Sequence, residues 1–191
     1  MKKIFMMAVM AAATLTANAQ WWAGGELELT GEHRVGADKT KSTFGIKPEV
    51  GYSLNDKMDV ALALGYTHSG NFETQTQTIL GTQTVVSSSN QFIINPYLRY
   101  KFVKAGNFFA FVDGGVQYST THVNGIENNI NTIGVAIVPG IAYSVSSKVT
   151  LVSKLGDGLY FNHAWQKDTY HQNNYGFKFA NAISFGAYYS F

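Results

Sequence analysis

Large apolar residues alternate with small or charged residues along most of the chain, and this period of two predicts β-strands. Between Thr43 and Ser53, one side carries Phe44, Ile46, Pro48, Val50 and Tyr52, and the other carries Gly45, Lys47, Glu49, Gly51 and Ser53. The stretches beginning at Met58 and Thr132 repeat this division into a large apolar side and a small or charged side. Each stretch therefore indicates a strand whose two faces meet different environments.

Turn residues divide the alternating pattern into eight predicted strands. Short connections that suit hairpin turns lie at 54–57, 104–107 and 145–148, and longer polar connections lie at 33–42, 70–89, 120–131 and 162–174. The strands between them are Trp22–Glu32, Thr43–Ser53, Met58–Ser69, Asn90–Phe102, Phe108–Ser119, Thr132–Ser144, Val149–Phe161 and Tyr175–Phe191. The predicted fold class is all-β.

The length of these strands favours a membrane. Strands in soluble sheets usually have about 5 to 6 residues, whereas a tilted strand needs about 9 to 11 residues to cross the hydrocarbon. Short turns at one end and long loops at the other are typical of outer-membrane barrels. Because eight strands enclose an interior that side chains fill, the small and charged side faces inward and the large apolar side faces lipid. We predict an eight-stranded antiparallel up-and-down transmembrane β-barrel.

The fifth and seventh strands depart from the clean pattern. Phe109 and Phe111 fall on the inner side of the fifth strand, and Asp157 falls on the outer side of the seventh. The pair Gly114-Gly115 and the triplet 156–158 are candidates for β-bulges, which shift the register of a strand. The inward or outward assignment of these two strands depends on whether such bulges form.

Every proline of the chain lies four residues before a tyrosine, in a strand that leads to a short turn. Because proline cannot donate a hydrogen bond to a neighbouring strand, we expect distorted pairing at Pro48, Pro96 and Pro139. The eighth strand holds a fourth copy of the pattern, with Phe185 in the proline position. Aromatic residues collect at membrane interfaces, so we predict an aromatic girdle at the short-turn end, formed by Tyr52, Tyr100, Tyr143 and Tyr189.

The first 19 residues are typical of a secretory signal peptide. Two lysines precede an apolar run from Ile4 to Ala13, and small residues follow up to Ala17-Asn18-Ala19. The run is too short to span a bilayer as a helix. We therefore expect residues 1–19 to be a signal peptide and residues 20–191 to form one barrel domain.

The charge balance does not favour nucleic acid, and the cysteine content excludes disulfides. Two of the 14 basic residues, Lys2 and Lys3, lie in the signal segment, so the rest of the chain has as many bases as its 12 acids. Nothing in this balance favours a nucleic-acid partner. The chain has no cysteine and forms no disulfide, although an exported protein meets an oxidising compartment.

Acidic and basic residues on the inner side balance each other. The predicted lumen charges are Glu26, Glu28, Glu49, Asp59 and Asp113 with Lys47, Arg99, Lys101, Lys154 and Lys178. Opposite charges that pair in a lumen avoid most of the penalty of a lone buried charge. Counting back across the first loop places Glu28 opposite Lys47, and we predict that ion pair. The set is interpreted as a structural plug, with an ion path as the alternative.

These patterns resemble the small outer-membrane β-barrel proteins of the OmpA/OmpX type within the porin family, particularly the Bacteroidetes versions. The resemblance rests on the ANAQ cleavage site, the eight-strand rhythm, the proline-tyrosine strands followed by LNDK-like turns, and the terminal SFGAYYSF. It implies a multi-pass protein in the outer membrane of a Gram-negative cell envelope. It also implies that the barrel-insertion machinery reads the last strand through Ile183, Phe185, Tyr189 and Phe191, although Ala187 is a weaker element.

The longest polar connection, 70–89, has an alternation of its own around Gly81. It is either a solvated loop or a hairpin that extends the barrel wall, and a hairpin edge is a possible site for an extracellular partner.

An enzyme that modifies lipid A at the outer rim would need a nucleophile, a base and an acid close together. The candidate sets are His68, Ser69 and Glu73, or His163, Asp168 and His171, and the second set is also a possible metal site. Neither set carries a family signature, so we expect ordinary loop residues, with no catalytic group, metal or cofactor.

The sequence therefore predicts a non-enzymatic, monomeric outer-membrane barrel, surrounded by lipid, with a role in adhesion or envelope integrity. The alternatives are a narrow porin-like channel for ions or small solutes, a lipid-A-modifying rim enzyme, and a soluble ligand-binding barrel.

Overall fold

The computed structural model describes residues 20–32, 41–78, 81–156, 158–167, 170–178 and 183–191, so the predicted signal peptide lies outside the described residues. Among the residues described, no helix is long and apolar enough to cross a lipid bilayer. The described part of the chain forms ten β-strand segments: β1 Trp21–Glu32, β2 Lys41–Ser53, β3 Met58–Thr78, β4 Gly81–Ala105, β5 Phe108–Val123, β6 Ile130–Ser144, β7 Val149–Lys154, β8 Gly158–Gln166, β9 Tyr170–Lys178 and β10 Ser184–Ser190.

The ten segments make a closed antiparallel barrel of eight strands. Consecutive strands pair from β1 to β6, and β10 closes the barrel by pairing with β1. The seventh barrel strand consists of β7 and β8, which both pair with β6. The eighth consists of β9, which pairs with β8, and β10, which pairs with β7. The predicted fold class is confirmed.

Glycines interrupt the seventh strand where a bulge was predicted. Gly156 and Gly158 have φ values of +81° and +50°, in the left-handed region that favours glycine. The register of the β6–β8 pairing shifts beside this break, between Ala136 and Ile137. Position 157 itself lies outside the described residues.

The bulge predicted at Gly114-Gly115 is wrong. Both glycines pair in register with β4 and with β6, and the shift in the β4–β5 pairing lies between Lys101 and Val103. Gly115 has a packing role instead, because a Cβ at this position would lie 2.7 Å from the Cβ of Tyr97. Phe111 is fully buried and Phe109 partly buried, so both belong to the inner face.

The described parts of the segment 70–89 pair as the two arms of a hairpin, which favours the hairpin over the solvated loop. β3 continues to Thr78, β4 begins at Gly81, and the two pair from Phe72 opposite Ser87 to Thr78 opposite Gly81. β5 and β6 also extend beyond their predicted ends, to Val123 and back to Ile130. Backbone pairing therefore continues past the apolar part of the barrel wall at the long-loop end.

Pairing is interrupted at all three prolines, as predicted. The β2–β3 pairing omits Lys47 and Pro48, and the β4–β5 pairing omits Asn95 and Pro96, each without a change of register. At Pro139 the interruption coincides with the break between β7 and β8. In each case proline still pairs with the preceding strand, so only one side of the ladder loses a donor.

The two faces of the wall have the predicted orientation. Apolar side chains on the outside are well exposed, with Leu29 at 76% and Phe185 at 67%, whereas Ala63 and Phe111 on the inside are fully buried. A surface with this much exposed apolar area is unfavourable in water and suits contact with lipid. The barrel is therefore inverted relative to a soluble one.

The Asn95 side chain compensates for the donor that Pro96 lacks. Its Nδ2 donates to the carbonyl oxygen of Val116 at 3.0 Å, at the place where pairing with β5 is interrupted. We expect Asn95→Ala to lower the free energy of unfolding by about 1 kcal/mol, the usual value of one hydrogen bond, in urea titrations of the refolded barrel.

The variant Pro96→Ala is a matched background that isolates the contribution of the Asn95 hydrogen bond. Replacing Pro96 with Ala restores a backbone N–H that can donate to the same carbonyl, so Asn95→Ala should cost much less in Pro96→Ala than in the parent chain. Equal costs in the two backgrounds would contradict the assignment.

Candidate functional site

Six charged side chains from five strand segments meet in the middle of the lumen. Alternation turns them inward, and the register brings them to the same level, with Glu26 opposite Lys47 and Arg99 opposite Asp113. We call this group the lumen cluster: Glu26, Lys47, Glu49, Arg99, Asp113 and Lys154. It holds three acids and three bases.

Arg99 is the most enclosed member of the cluster, with 2% of the residue exposed. Its Nε and Nη2 donate to the two carboxylate oxygens of Asp113 at 2.7 and 2.8 Å, a bidentate geometry that strengthens the pair. The guanidinium carbon lies 3.9 Å from the centre of the Phe111 ring and 5.2 Å from that of Tyr188. Weak hydration of guanidinium makes Arg suited to such a buried, ring-lined position.

Lys154 joins the three acids. Its Nζ lies 2.5 Å from Glu26, 3.1 Å from Glu49 and 3.1 Å from Asp113. Lys47 approaches from the long-loop side, with its Nζ 3.1 Å from Glu26 and 3.6 Å from Glu49. Lys154 is therefore the centre of the network, and Lys47 closes one side of it.

Tyrosine and serine hydroxyls satisfy the remaining carboxylate oxygens. Tyr97 and Tyr188 donate to Oε2 of Glu49 at 2.6 and 2.7 Å, and Ser184 donates to Oε2 of Glu26 at 2.7 Å. Among the described residues, every buried side-chain nitrogen and oxygen has a hydrogen-bond partner. A fully satisfied network of this kind avoids the desolvation penalty that a half-satisfied one carries.

A separate ion pair lies nearer the short turns. Lys101 Nζ is 2.8 Å from Asp59 Oδ1, and Lys101 also lies over the Phe109 ring. Asp59 is opposite Arg99 in the β3–β4 register, but its carboxylate pairs with Lys101 instead. This pair adds one acid and one base to the three of each in the lumen cluster.

The predicted ion pair between Glu28 and Lys47 is wrong. Glu26 lies opposite Lys47, and Glu28 lies opposite Gly45. β2 begins at Lys41, which pairs with Glu32, so the strand starts two residues earlier than the predicted loop allowed. Within the described ranges no cation lies within ion-pair distance of Glu28. The side chain of Lys178, the tenth predicted lumen charge, lies outside the described residues.

Three aromatic members of the site were not singled out from the sequence: Trp22, Tyr97 and Tyr188; Phe111 was placed on the inner face but given no role. Each lies on the inner face, two or four residues from a charge or a hydroxyl of the cluster. The same alternation that located the charges therefore contains the signal for these rings. Trp22 stacks on Tyr188 with ring centres 4.4 Å apart.

Glycines on the neighbouring strands make room for these rings. A Cβ at Gly140 would lie 2.4 Å from Cζ of Phe111, and a Cβ at Gly51 would lie 2.2 Å from the Trp22 ring. The small residues of the inner face therefore leave the space that the large rings occupy.

The lumen cluster lies between two cavities. One of about 360 Å³ opens toward the long loops and is lined by Glu28, Thr67, Asn95 and Gln117. The other, of about 720 Å³, lies among the short turns and is lined by Asn55, Lys57, Asn107 and Ser147. Arg99, Glu49 and Phe111 lie between the two and line neither.

The tyrosines of the predicted girdle lie on the outer face near the short turns. Tyr52 packs edge-on against Trp21, and Tyr143 packs against Phe108 with ring centres 4.6 Å apart. Tyr100 is 46% exposed, and Lys148 lies over the Tyr189 ring. Their position at a membrane interface stays a prediction.

The residues of the predicted insertion signal share the outer face of the last strand. Ile183, Phe185 and Tyr189 are exposed, and Phe191 contacts the Tyr189 ring edge-on while its N–H donates to the Trp21 carbonyl. Recognition of this strand by the insertion machinery stays a prediction.

The two candidate catalytic sets have different partners in the structure. Consecutive strand residues point to opposite faces, so His68 contacts Asn90 whereas Ser69 contacts Thr43. His163 and His171 stack with ring centres 5.8 Å apart, and His163 bonds to Asn173. The Glu73 side chain and Asp168 lie outside the described residues. In the described ranges, no three His, Asp or Glu side chains are grouped to hold a metal ion.

Glu26 and Glu28 provide a direct test of the corrected ion pairing. Glu26→Ala leaves Lys154 and Lys47 with fewer acidic partners in a buried site, so we expect the free energy of unfolding to fall by about 3 kcal/mol. Glu28→Ala removes a carboxylate two residues further along the same face and should change stability little. Urea titration measures both, and equal losses would contradict the cluster.

Two glycines test the fit of the rings. Gly140→Ala places a methyl group against Phe111 and should lower the free energy of unfolding by about 1 to 3 kcal/mol, as overpacking does. Gly114→Ala is the control, because a Cβ there meets nothing within 4 Å. A neutral Gly140→Ala would show that the ring has room to move. Thermal melting monitored by gel migration distinguishes the two variants.

Comparisons with known proteins agree with this geometry. The family model described as "Outer membrane protein beta-barrel domain" matches residues 4–191. No curated protein matches. Neisserial surface protein A is a structural match, with a TM-score of 0.54 and 14% identity over 91% of this chain and 98% of that chain.

Two further solved structures are similar to this chain. Outer Membrane Protein W of E. coli has a TM-score of 0.47 and 14% identity, covering 93% of this chain and 100% of that one. Ail of Yersinia pestis has a TM-score of 0.48 and 9% identity, covering 91% and 100%. The closed barrel, the inverted faces and the family match lead to one conclusion: the chain belongs to the outer membrane protein beta-barrel domain family and is a protein of the outer membrane.

Proposed function

We propose that this protein is a non-enzymatic structural barrel whose lumen is closed by the lumen cluster, and that it acts at the cell surface in adhesion or envelope integrity. The observation that carries the proposal is the position of the cluster between two cavities that it separates. The proposal has two parts, a closed interior and an interactive exterior.

Closure of the lumen is supported by charge balance and by packing. Three acids and three bases neutralise each other, so the cluster offers neither a net field nor a free binding position to a passing ion. An ion that passed would have to break contacts that are fully desolvated, which is costly. The rings of Phe111 and Tyr188 occupy the space beside the charges. An eight-stranded wall leaves little room for a path around them.

The surface role is supported by the long-loop end of the barrel. β3 and β4 continue as a paired hairpin to Thr78 and Gly81, beyond the last pairing of β3 with β2 at Gly70. A paired hairpin holds its backbone in one shape, which favours recognition by an extracellular partner over a freely moving loop. We place the partner site at 70–89, in a monomeric barrel inserted by the outer-membrane machinery.

A non-enzymatic role is supported by the separation of the side chains in the first candidate catalytic set. A base must lie within hydrogen-bond reach of its nucleophile, and His68 and Ser69 have different partners on opposite faces of β3. The narrow channel is the second candidate, because the two cavities already provide a wide approach from each end.

Conductance of the purified barrel in planar bilayers tests the closed interior. We expect no steady channel from the parent chain. The double variant Arg99→Ala/Asp113→Ala removes one acid and one base together, so it leaves no unpaired partner from that pair, and it should conduct because it opens space beside Phe111. Glu28→Ala, which changes only the outer cavity, is the control and should stay closed. A steady large conductance from the parent chain would favour the channel instead.

A further inference from the structure

The outward face of the barrel changes from apolar to polar over three successive cross-strand rows near the long-loop end. The pairing register gives the rows as Leu64, Ile94, Tyr118, Ile133, His163 and Asn173; Tyr66, Phe92, Thr120, Asn131, Trp165 and His171; and Phe44, His68, Asn90 and His122. The adjoining row toward the short turns contains Val116, Val135, Phe161 and Tyr175. Across these rows an apolar surface that suits lipid tails gives way to a polar surface that suits headgroups.

Four of the five histidines of the chain lie in these three rows. They come from β3, β5, β8 and β9, and we call them the histidine collar: His68, His122, His163 and His171. His68, His122 and His171 are exposed, and His163 is half-buried. Strands distant in sequence thus bring the same side chain to the long-loop end of the lipid face.

Asparagine oxygens orient three of the four imidazoles. His68 Nδ1 bonds to Asn90 Oδ1 at 2.9 Å, and His163 Nδ1 bonds to Asn173 Oδ1 at 2.7 Å. His122 Nδ1 bonds in the same way to Asn129 Oδ1 at 3.0 Å. An amide oxygen accepts but does not donate, so Nδ1 carries the proton in each bond. Among the residues described, none makes a hydrogen bond to Nε2 of these rings.

We propose that the histidine collar binds phosphate groups of the lipid headgroups that surround the barrel. With Nδ1 held by asparagine, a protonated imidazole has one N–H left, at Nε2, to donate to a phosphate oxygen, and its charge strengthens that bond. The collar lies where the apolar outer face gives way to polar residues, which favours a lipid phosphate over a free one. Histidine changes its charge between about pH 5 and 8, so binding increases as the pH falls through that range.

The other titratable groups near the collar are of kinds whose ordinary pKa values lie outside this range. Among the described side chains they are the phenols of Tyr66, Tyr118 and Tyr175, the ammonium of Lys167 beyond the end of β8, and the carboxylate of Glu127 in the loop between β5 and β6. Neutral phenols can donate to the same phosphates but add no charge. The pH dependence therefore belongs to the imidazoles.

Trp165 provides a reporter at the collar. Its ring stacks on that of His163 with centres 5.7 Å apart, and Trp22 is buried in the lumen at the other end of the barrel. In the full-length mature chain carrying Trp21→Phe, Trp165 is the one tryptophan that faces lipid. Quenching of its fluorescence by a brominated lipid therefore reports which lipid occupies the collar.

The experiment reconstitutes this chain into phosphatidylcholine vesicles that contain either brominated phosphatidic acid or brominated phosphatidylcholine. We expect phosphatidic acid to be preferred at pH 5.5 by roughly 30- to 100-fold, as two or three added positive charges near a lipid surface would give, and much less at pH 7.5. His68→Gln/His122→Gln/His163→Gln should abolish the preference at both pH values. The single change His163→Gln, beside the reporter, should reduce it if the triple variant does not fold.

Two controls make the result specific. The chain with Trp165→Phe keeps Trp21 at the short-turn end, and its lipid preference should not respond to the histidine changes. Inorganic phosphate added to vesicles of phosphatidylcholine alone should not alter quenching. A preference that survives in the triple variant, is lost with a chelator, or is reproduced by free phosphate would overturn the proposal in favour of other groups, a bound metal ion, or a soluble anion.

Discussion

The charges of the lumen cluster neutralise one another at hydrogen-bond distance, and this constraint fixes how the strands that carry them lie against one another. The wall is too narrow for water to solvate each charge separately, so an unpaired carboxylate or ammonium there would carry most of its desolvation cost. Lys154 helps to neutralise Glu26, Glu49 and Asp113 by contacting all three. Arg99 forms a bidentate pair with Asp113. Strands that are distant in sequence are thereby held at one relative height.

The packing of the wall follows from that central network. Large rings surround the guanidinium of Arg99, and the inner face therefore needs glycines such as Gly51 and Gly140 where the rings lie. The outer face has the opposite composition because its solvent is lipid, which accepts Leu29 and Phe185 in exposed positions. Proline is tolerated on this wall because each one faces lipid and loses a hydrogen bond on one side only, where a side chain such as Asn95 can replace it.

The centre and the long-loop end of the barrel differ in character. The centre is closely packed, with three acids and three bases paired in the lumen cluster. The long-loop end carries polar rows, histidines bonded to asparagines, and a paired hairpin.

Face assignment could be read from the sequence because it depends on parity alone. Whether a residue points inward is decided by its alternation with its neighbours, and this placed Glu26, Lys47, Glu49, Arg99, Asp113 and Lys154 inside. The partner of each charge depends on register, which parity does not determine. Starting β2 two residues earlier keeps every side chain on its face but moves the partner of Lys47 from Glu28 to Glu26.

The ends of the strands were also decided by the tertiary structure. The hairpin from 70 to 89 has polar residues on both sides of its alternation, so hydrophobicity could not distinguish a paired extension from a solvated loop. The conformations of Gly156 and Gly158 likewise became clear only from the strands around them, although the triplet suggested a break. The sequence alone determined whether each strand position suits lipid or the lumen. The closed wall decided which residues lie opposite it, because register is a property of two strands and not of one.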